Sequence, residues 1–266
     1  MNPILLQLLI FGTLAALANV LGGLVLYPLG IQHGYKKSLK YLLAIGAGFM
    51  LAVTFFEIVP ETILLWQRTY PETADKLYTP MLLLLVGYLI TQFFEHTIAP
   101  HFHLGEDVHN EGVIAPRSAY TGISGLLVHT FFDGVSIAAA SQLDVRIGFL
   151  VFIAVFLHKF PEGFTIGSMI VGAGKGMKEV IYATALIGLT TMIGVLSFYF
   201  LGSAFGFSVA YALPLASGVT LYVAASDLIP EVNHHGGHKP LVSFSVFGGV
   251  ALFFGIHQIV DLYFAH

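Results

Sequence analysis

The stretch LHKFPEG, residues 157–163, places a histidine, a lysine and a glutamate inside a long apolar run of the chain. Burying such groups is costly unless they pair with one another or bind a ligand. A similar stretch lies upstream, since HTFFDG, residues 129–134, also reads histidine, three residues, acid, glycine. The two motifs lie in consecutive apolar segments, so the way these segments fold decides what the charged residues do.

The composition is that of an integral membrane protein. Of the 266 residues, 56% are hydrophobic and only 10% are charged, whereas an average soluble domain is about 25% charged. The mean hydropathy is +0.84. A net charge of −4 without a basic tract gives no sign of a nucleic-acid partner. Cysteine is absent, which excludes disulfides and thiolate metal ligands.

Several apolar segments have the length of roughly 20 residues that a helix needs to cross a bilayer. The ten-residue alternating segments typical of membrane strands do not occur. We therefore predict an all-α membrane protein with eight transmembrane helices, forming a single integral membrane domain over residues 1–266. The predicted spans 1 to 8 are residues 4–29, 39–66, 79–100, 119–142, 146–172, 178–204, 208–231 and 241–265.

The distribution of positive charge predicts the orientation of these spans. With the N-terminus outside, the inside loops hold seven cations, namely Lys36, Lys37, Lys40, Arg117, Lys175, Lys178 and Lys239. The outside loops then hold three, which are Arg68, Lys76 and Arg146. Because short cytoplasmic loops carry an excess of Lys and Arg, both termini are expected outside.

A longer repeat relates span 2 to span 7. GFMLAVTFFEIVPE, residues 48–61, resembles GVTLYVAASDLIPE, residues 218–231, and the acids Glu57 and Asp227 align. In the predicted orientation the two spans run in opposite directions. This favours an inverted repeat of spans 1–3 and 6–8 around a central pair of spans 4 and 5, an architecture common in transporters. Duplicated packing motifs are the alternative explanation.

The short repeat predicts a metal site. Residues four apart share one face of a helix, so His129 and Asp133 point together from span 4, as do His158 and Glu162 from span 5. If these faces meet, two imidazoles and two carboxylates offer a nitrogen and oxygen ligand set suited to a divalent transition metal. A structural ion pair in each helix is the alternative. Two copies, each followed by glycine (Gly134 and Gly163), favour metal and close helix packing.

These features resemble the ZIP (Zrt/Irt-like) family of divalent-metal transporters. The resemblance rests on eight spans with both ends outside, a His-bearing loop at about residues 101–118 between spans 3 and 4, and HKFPEG in span 5. It implies transport of zinc, and often iron, manganese or cadmium, into the cytosol across the plasma (inner) membrane. It also implies that the metal is the substrate and that no cofactor is needed. The ligands carried over are His129, Asp133, His158 and Glu162.

The chain departs from the fullest family pattern at the position of a second metal. Thr130 stands where many relatives have asparagine, and Lys159 stands where a second-site ligand is expected. Span 6 offers only Thr190 and Thr191 instead of a further acid. A protonated lysine has no lone pair to donate. We therefore expect one metal, with Lys159 beside it in place of a second cation. A snorkelling or structural lysine is the alternative.

Other polar residues permit two interpretations each. Glu57 and Asp227 are either entrance and exit stations or helix-end carboxylates in water, whereas the pairs Glu95–His96 and His257–Asp261 are expected at the membrane interface. Two groups of loop histidines either capture emerging metal or are simply solvated, and metal capture is favoured. These histidines are His101, His103, His109, His234, His235 and His238.

The main rival function is an intramembrane zinc-dependent hydrolase, which would also hold metal with histidine and carboxylate ligands. The chain has no HExxH motif, and two similar half-sites suit a transport pathway better than an asymmetric reaction centre. The expected partners are a divalent metal ion and the lipid bilayer, and a homodimer remains open.

The position of the His-bearing loop generates a prediction. Deleting residues 101–112 is expected to change metal uptake modestly and not to abolish it, because this polar loop lies outside the packed helices. Uptake by the deletion variant in proteoliposomes checks this. Complete loss of uptake in a correctly inserted variant would place an essential site in the loop.

Overall fold

The structure of the chain is a computed structural model that describes residues 2–25, 32–73, 77–98, 116–205, 208–236 and 239–264. Apart from the short connections between helices and a few end residues, these residues are helical, and none of them forms a strand. Within these described residues, eight helices are long and apolar enough to cross a membrane, which confirms the predicted all-α class and the position of every predicted span. They cover Pro3–Leu24, Lys40–Thr69, Tyr78–Thr97, Leu126–Leu143, Val145–Val171, Met177–Gly202, Val209–Asn233 and Pro240–Tyr263.

Three of the spans are interrupted by π-helical turns. Span 2 runs through Gln32–Val53, the π-turn Thr54–Ile58 and Val59–Thr69, and a short 3₁₀ turn, Pro71–Thr73, follows it. Span 3 comprises Tyr78–Phe93 and the π-turn Phe94–Ile98, and span 7 comprises Val209–Tyr222, the π-turn Val223–Leu228 and Ile229–Gly236. Uninterrupted α-helices form the other spans, namely Pro3–Leu24, Pro116–Leu143, Val145–Gly172, Met177–Phe205 and Pro240–Phe264.

A single residue separates spans 4 and 5. Asp144 is the N-cap of span 5, and its carboxylate accepts a hydrogen bond from the backbone N–H of Arg146 at 2.7 Å. Partial burial raises the pKa of Asp144, but the hydrogen bonds from Arg146 outweigh it and hold that pKa below its usual value. This tight connection makes spans 4 and 5 an antiparallel hairpin, so their polar faces lie side by side.

Spans 4 and 5 lie at the centre of the bundle. Of the most apolar 18-residue stretch of span 5, about two thirds (67%) is buried inside the bundle, compared with 22% for span 3 and 17% for span 8. Span 1 packs on span 5, span 4 on span 6, span 3 on span 7 and span 2 on span 8. If span 1 is exchanged with span 6, span 2 with span 7, span 3 with span 8 and span 4 with span 5, the pair 1–5 becomes the pair 6–4. The pair 3–7 becomes the pair 8–2 in the same way. The packing therefore has the pattern that the predicted repeat requires, while the opposite membrane orientation of the two halves stays a prediction.

The two copies of the longer repeat also share a local structure. In each copy the helix forms a π-turn that contains the aligned acid, Glu57 or Asp227, and a proline follows near the start of the next α-helix, at Pro60 or Pro230. A π-turn adds one residue to a helical turn and occurs frequently at functional sites. The two copies of the longer repeat are therefore similar in backbone conformation as well as in sequence.

The glycines that follow the two short motifs allow close helix packing, as predicted. A Cβ atom at Gly134 would overlap the carbonyl oxygen of Thr191 in span 6, and a Cβ atom at Gly163 would overlap that of Asn19 in span 1. Each of the central spans is thus in close backbone contact with a neighbouring span. This contact fixes the depth and rotation of both motifs.

The contact at Gly163 generates a prediction. Gly163→Ala is expected to destabilise the bundle by about 1–3 kcal/mol, because the added methyl group meets backbone atoms of span 1 that cannot rotate away. Thermal unfolding of the purified protein in detergent measures this. Gly255→Ala in span 8 is the matched control, since nothing lies within 4 Å of a Cβ atom there. Equal unfolding temperatures for the two variants would contradict the prediction.

Candidate metal-binding site

The structure brings together the four side chains that the short repeat singled out. One ligand atom from each of His129, Asp133, His158 and Glu162 lies within 4.8 Å of all the others. His129, Asp133 and His158 are buried, with exposed fractions of 4%, 0% and 3%. We call these four residues the His–carboxylate cluster. Its geometry follows from the i,i+4 spacing in each helix and from the one-residue connection between them.

Both histidines present Nε2 to the cluster. His158 Nε2 lies 3.2 Å from Asp133 Oδ2 and 3.9 Å from Glu162 Oε2, and His129 Nε2 lies 3.8 Å from Glu162 Oε1. The other ring nitrogen of His158, Nδ1, is 3.1 Å from the carbonyl oxygen of Ala154. A carbonyl oxygen only accepts, so His158 donates from Nδ1. Lone pairs from nitrogen and oxygen therefore converge on one small volume, an arrangement that favours a cation.

Lys159 places its ammonium in this volume. The side chain is completely buried, and Nζ lies 2.8 Å from Asp133 Oδ2 and 2.6 Å from Glu162 Oε2. The interpretation of Lys159 as a lysine that snorkels to the interface is therefore wrong. The ammonium instead pairs with both carboxylates of the cluster. Removing either partner of a buried ion pair leaves an uncompensated charge, which is strongly unfavourable.

Thr130 connects the lysine to the cluster. Its hydroxyl donates to Glu162 Oε1 at 3.0 Å and accepts from Lys159 Nζ at 3.3 Å. In contrast, Asp133 Oδ1 is buried and has no hydrogen-bond partner in the structure. Thr190 in span 6 donates to the carbonyl oxygen of Leu186 in its own helix. The cluster thus keeps an acceptor atom available. At the second-site positions, Thr130 bonds to the lysine and Thr190 bonds within its own helix, whereas the buried hydroxyl of Thr191 has no hydrogen-bond partner in the structure.

Glu95 is the residue that the sequence analysis placed wrongly. It was expected at the membrane interface with His96, and His96 is indeed exposed, but Glu95 is only 4% exposed. Glu95 Oε1 lies 2.9 Å from His129 Nδ1. Its position in the π-turn of span 3 points it into the bundle, and no spacing pattern in the sequence connects span 3 with His129. An acid near the end of an apolar span was the only available signal.

The two acids of the longer repeat are not members of the His–carboxylate cluster. Asp227 contacts Glu95, and its buried Oδ1 has no hydrogen-bond partner in the structure. Glu57 belongs to a separate ionic network, in which Glu57 Oε2 is 3.1 Å from His257 Nε2 and His257 Nδ1 is 3.1 Å from Asp261 Oδ2. Arg146 joins Asp261 at 3.3 Å. Neither acid is therefore placed to share a metal with all four cluster residues.

The predicted loop histidines fall largely outside the described part of the chain. His101, His103, His109 and His238 lie outside the described residues, and His234 and His235 lie in the helix Ile229–Gly236, where their side chains are not described. Their role in metal capture stays a prediction.

A family model for the ZIP zinc transporter matches residues 103–257, more than half of the chain. The chain belongs to the ZIP zinc transporter family. The match includes both short motifs and therefore the whole His–carboxylate cluster. This confirms the resemblance that the motifs suggested, and it does not favour the hydrolase alternative.

Individual relatives agree with this membership. The chain is 25% identical to zinc transporter ZIP9 of Xenopus tropicalis over 86% of its own length and 88% of that protein. It is 30% identical to zinc transporter foi of Drosophila melanogaster over 59% of its length, but this region is only 22% of that longer protein. It is 28% identical to human zinc transporter ZIP10 over 60% of its length, which is 20% of that protein. The similarity thus extends along nearly the whole chain for one relative and is confined to part of it for the others.

Proposed function

We propose that this chain is a transporter, and not an enzyme, that carries divalent transition-metal ions across a membrane into the cytosol. Zinc is the first candidate, and iron, manganese and cadmium are compatible with the same ligands. The observation that carries the proposal is the convergence of His129, Asp133, His158 and Glu162 from two adjacent buried helices. The names of the relatives, which are zinc transporters, support it.

The chemistry of the ligand set suits transport better than permanent metal storage. Cysteine is absent, so the site offers imidazole and carboxylate groups and no thiolate. Structural zinc sites are commonly closed by four strong ligands that include thiolates. A substrate site must release its ion during each cycle, and the weaker set of this chain allows ligand exchange. The ion is the substrate, and no cofactor takes part.

Lys159 makes binding competitive. An ion that takes Asp133 and Glu162 as ligands must displace the ammonium that now lies 2.8 and 2.6 Å from them. When the ion leaves, the ammonium compensates both carboxylates again. The positive charge also opposes a second divalent ion, so each chain carries one ion in the cluster at a time.

The route and the setting complete the proposal. We propose that both termini lie outside and that the membrane is the plasma (inner) membrane, and the excess of Lys and Arg in the predicted inside loops supports this orientation. Glu57 then lies toward the outer entrance and Asp227 toward the inner exit, and the loop histidines receive the emerging ion. Two chains that assemble into a homodimer are compatible with this arrangement.

Transport by the purified protein in sealed liposomes tests the function. Asp133→Ala and Glu162→Ala are each expected to abolish most Zn²⁺ uptake, because each removes a carboxylate ligand and leaves Lys159 without one of its partners. Thermal unfolding shows whether the variants remain folded. Glu179→Ala, at an exposed position in the first turn of span 6, is the matched control and should transport normally. Uptake by Glu162→Ala that equals the control would contradict the four-ligand site.

The stoichiometry of bound metal tests the role of Lys159. The chain is expected to bind one metal ion in the cluster, because the ammonium occupies the place of a second cation. Lys159→Asp should allow a second ion to bind, or should tighten the first and slow its release. Metal analysis of both proteins after removal of the loop histidines measures this. Two tightly bound ions in the protein with Lys159 intact would overturn the prediction.

A further inference from the structure

We infer that Glu95 is a positioning residue of the metal site, which holds the His129 ring so that Nε2 faces the transported ion. The inference rests on the proposed function. It assigns a role to a third span, because Glu95 lies in span 3 whereas the four proposed ligands lie in spans 4 and 5.

The contact between Glu95 and His129 has the geometry of a specific hydrogen bond. Oε1 of Glu95 lies 2.9 Å from Nδ1 of His129, and the two side chains are only 6% and 4% exposed. In the arrangement that we infer, the carboxylate of Glu95 accepts this hydrogen bond, and the ring proton of His129 lies on Nδ1. The lone pair of the neutral ring is then on Nε2, the atom that lies 3.8 Å from Glu162 in the His–carboxylate cluster. Metal-binding histidines commonly donate their second N–H to such a carboxylate.

The two histidines of the cluster are oriented in different ways. His158 donates from Nδ1 to the carbonyl oxygen of Ala154, four residues earlier in the same helix. Its orientation is therefore a property of span 5 alone. The orientation of His129 depends instead on a side chain from span 3, so the ligand set is complete only while spans 3 and 4 keep their relative position. Glu95 thereby makes the binding strength of the cluster depend on the packing of span 3.

A change from carboxylate to amide separates positioning from simple packing. Glu95→Gln keeps the size of the side chain, but the amide can donate to Nδ1 as well as accept from it. When the amide donates to Nδ1, the ring proton of His129 lies on Nε2. The lone pair is then on Nδ1, which does not face the cluster. Glu95→Asp keeps an acceptor that cannot donate but shortens the side chain by one methylene group. Positioning predicts a larger defect for glutamine than for aspartate, whereas packing predicts the reverse.

Binding of Co²⁺ to the purified full-length protein provides the test, since the visible absorption of bound Co²⁺ reports its ligand geometry. Glu95→Gln is expected to weaken Co²⁺ binding by about 10- to 100-fold and to change the spectrum. Glu95→Asp should recover most of the affinity and the original spectrum. Glu179→Gln is the matched control, because this exposed glutamate lies in the first turn of span 6. Thermal unfolding of each variant accompanies the titrations.

A measurement on the unaltered protein keeps the inference testable if the Glu95 variants fail to fold. Nitrogen-15 NMR of histidine-labelled protein, with His129 assigned by comparison with His129→Gln, shows which ring nitrogen carries the proton. We expect protonation at Nδ1 of His129. Protonation at Nε2 alone would overturn the inference, as would a Glu95→Gln variant with the affinity and spectrum of the control.

The same titrations distinguish failure of this inference from failure of the proposed function. If Asp133→Ala binds Co²⁺ as the unaltered protein does, the cluster is not the metal site, and the proposed function loses its basis. If Asp133→Ala loses binding while Glu95→Gln keeps it unchanged, the site stands and only the role of Glu95 is wrong.

Discussion

The ion pair that Lys159 makes with both Asp133 and Glu162 is the interaction on which the centre of this bundle depends. Three charged groups lie there with exposed side-chain fractions of 0%, 0% and 7%. Isolated charges in such surroundings would destabilise the fold by several kcal/mol each, on the order of the whole stability of a typical domain. One ammonium between two carboxylates offsets much of this cost. It leaves an excess of negative charge, so the centre remains attractive to a further cation.

The surrounding helices hold this charged centre in place. The one-residue connection at Asp144 sets spans 4 and 5 side by side, and Gly134 and Gly163 press them against spans 6 and 1. Close backbone contacts restrict sliding and rotation more than flexible side chains do. Because each motif places its two ligands four positions apart on one of two adjacent helices, a fixed rotation brings one ligand atom of each residue within 4.8 Å of the others. Packing of spans 4 and 5 against spans 6 and 1 thus helps to determine the geometry of the cluster.

Much of this arrangement could be predicted from the sequence, because its signals are local. Apolar length predicts the spans, and the repeated spacing of His129–Asp133 and His158–Glu162 predicts a shared face in each helix. The position of Glu95 could not be predicted in this way. Its contact with His129 joins residues 34 positions apart, and it depends on a π-turn, which neither apolar length nor i,i+4 spacing predicts. The burial of Lys159 was also open, since a lysine in an apolar helix either snorkels or pairs, and only the facing carboxylates decide between these outcomes.

The cluster attracts cations strongly, and it also contains a cation of its own, the ammonium of Lys159. The two properties are related. Two carboxylates and two imidazole nitrogens in a buried volume would hold a divalent ion tightly if nothing else competed for them. In the proposed function, Lys159 competes for the two carboxylates from span 5, where it neighbours His158 and Glu162, so its ammonium would stay close when an ion departs. The free energy of ion binding is then the difference between two favourable arrangements, one with the ion on the carboxylates and one with the ammonium on them. It is smaller than the full stabilisation of either arrangement. A site built in this way can stay charged and buried in both arrangements, because one of the two cations always compensates Asp133 and Glu162.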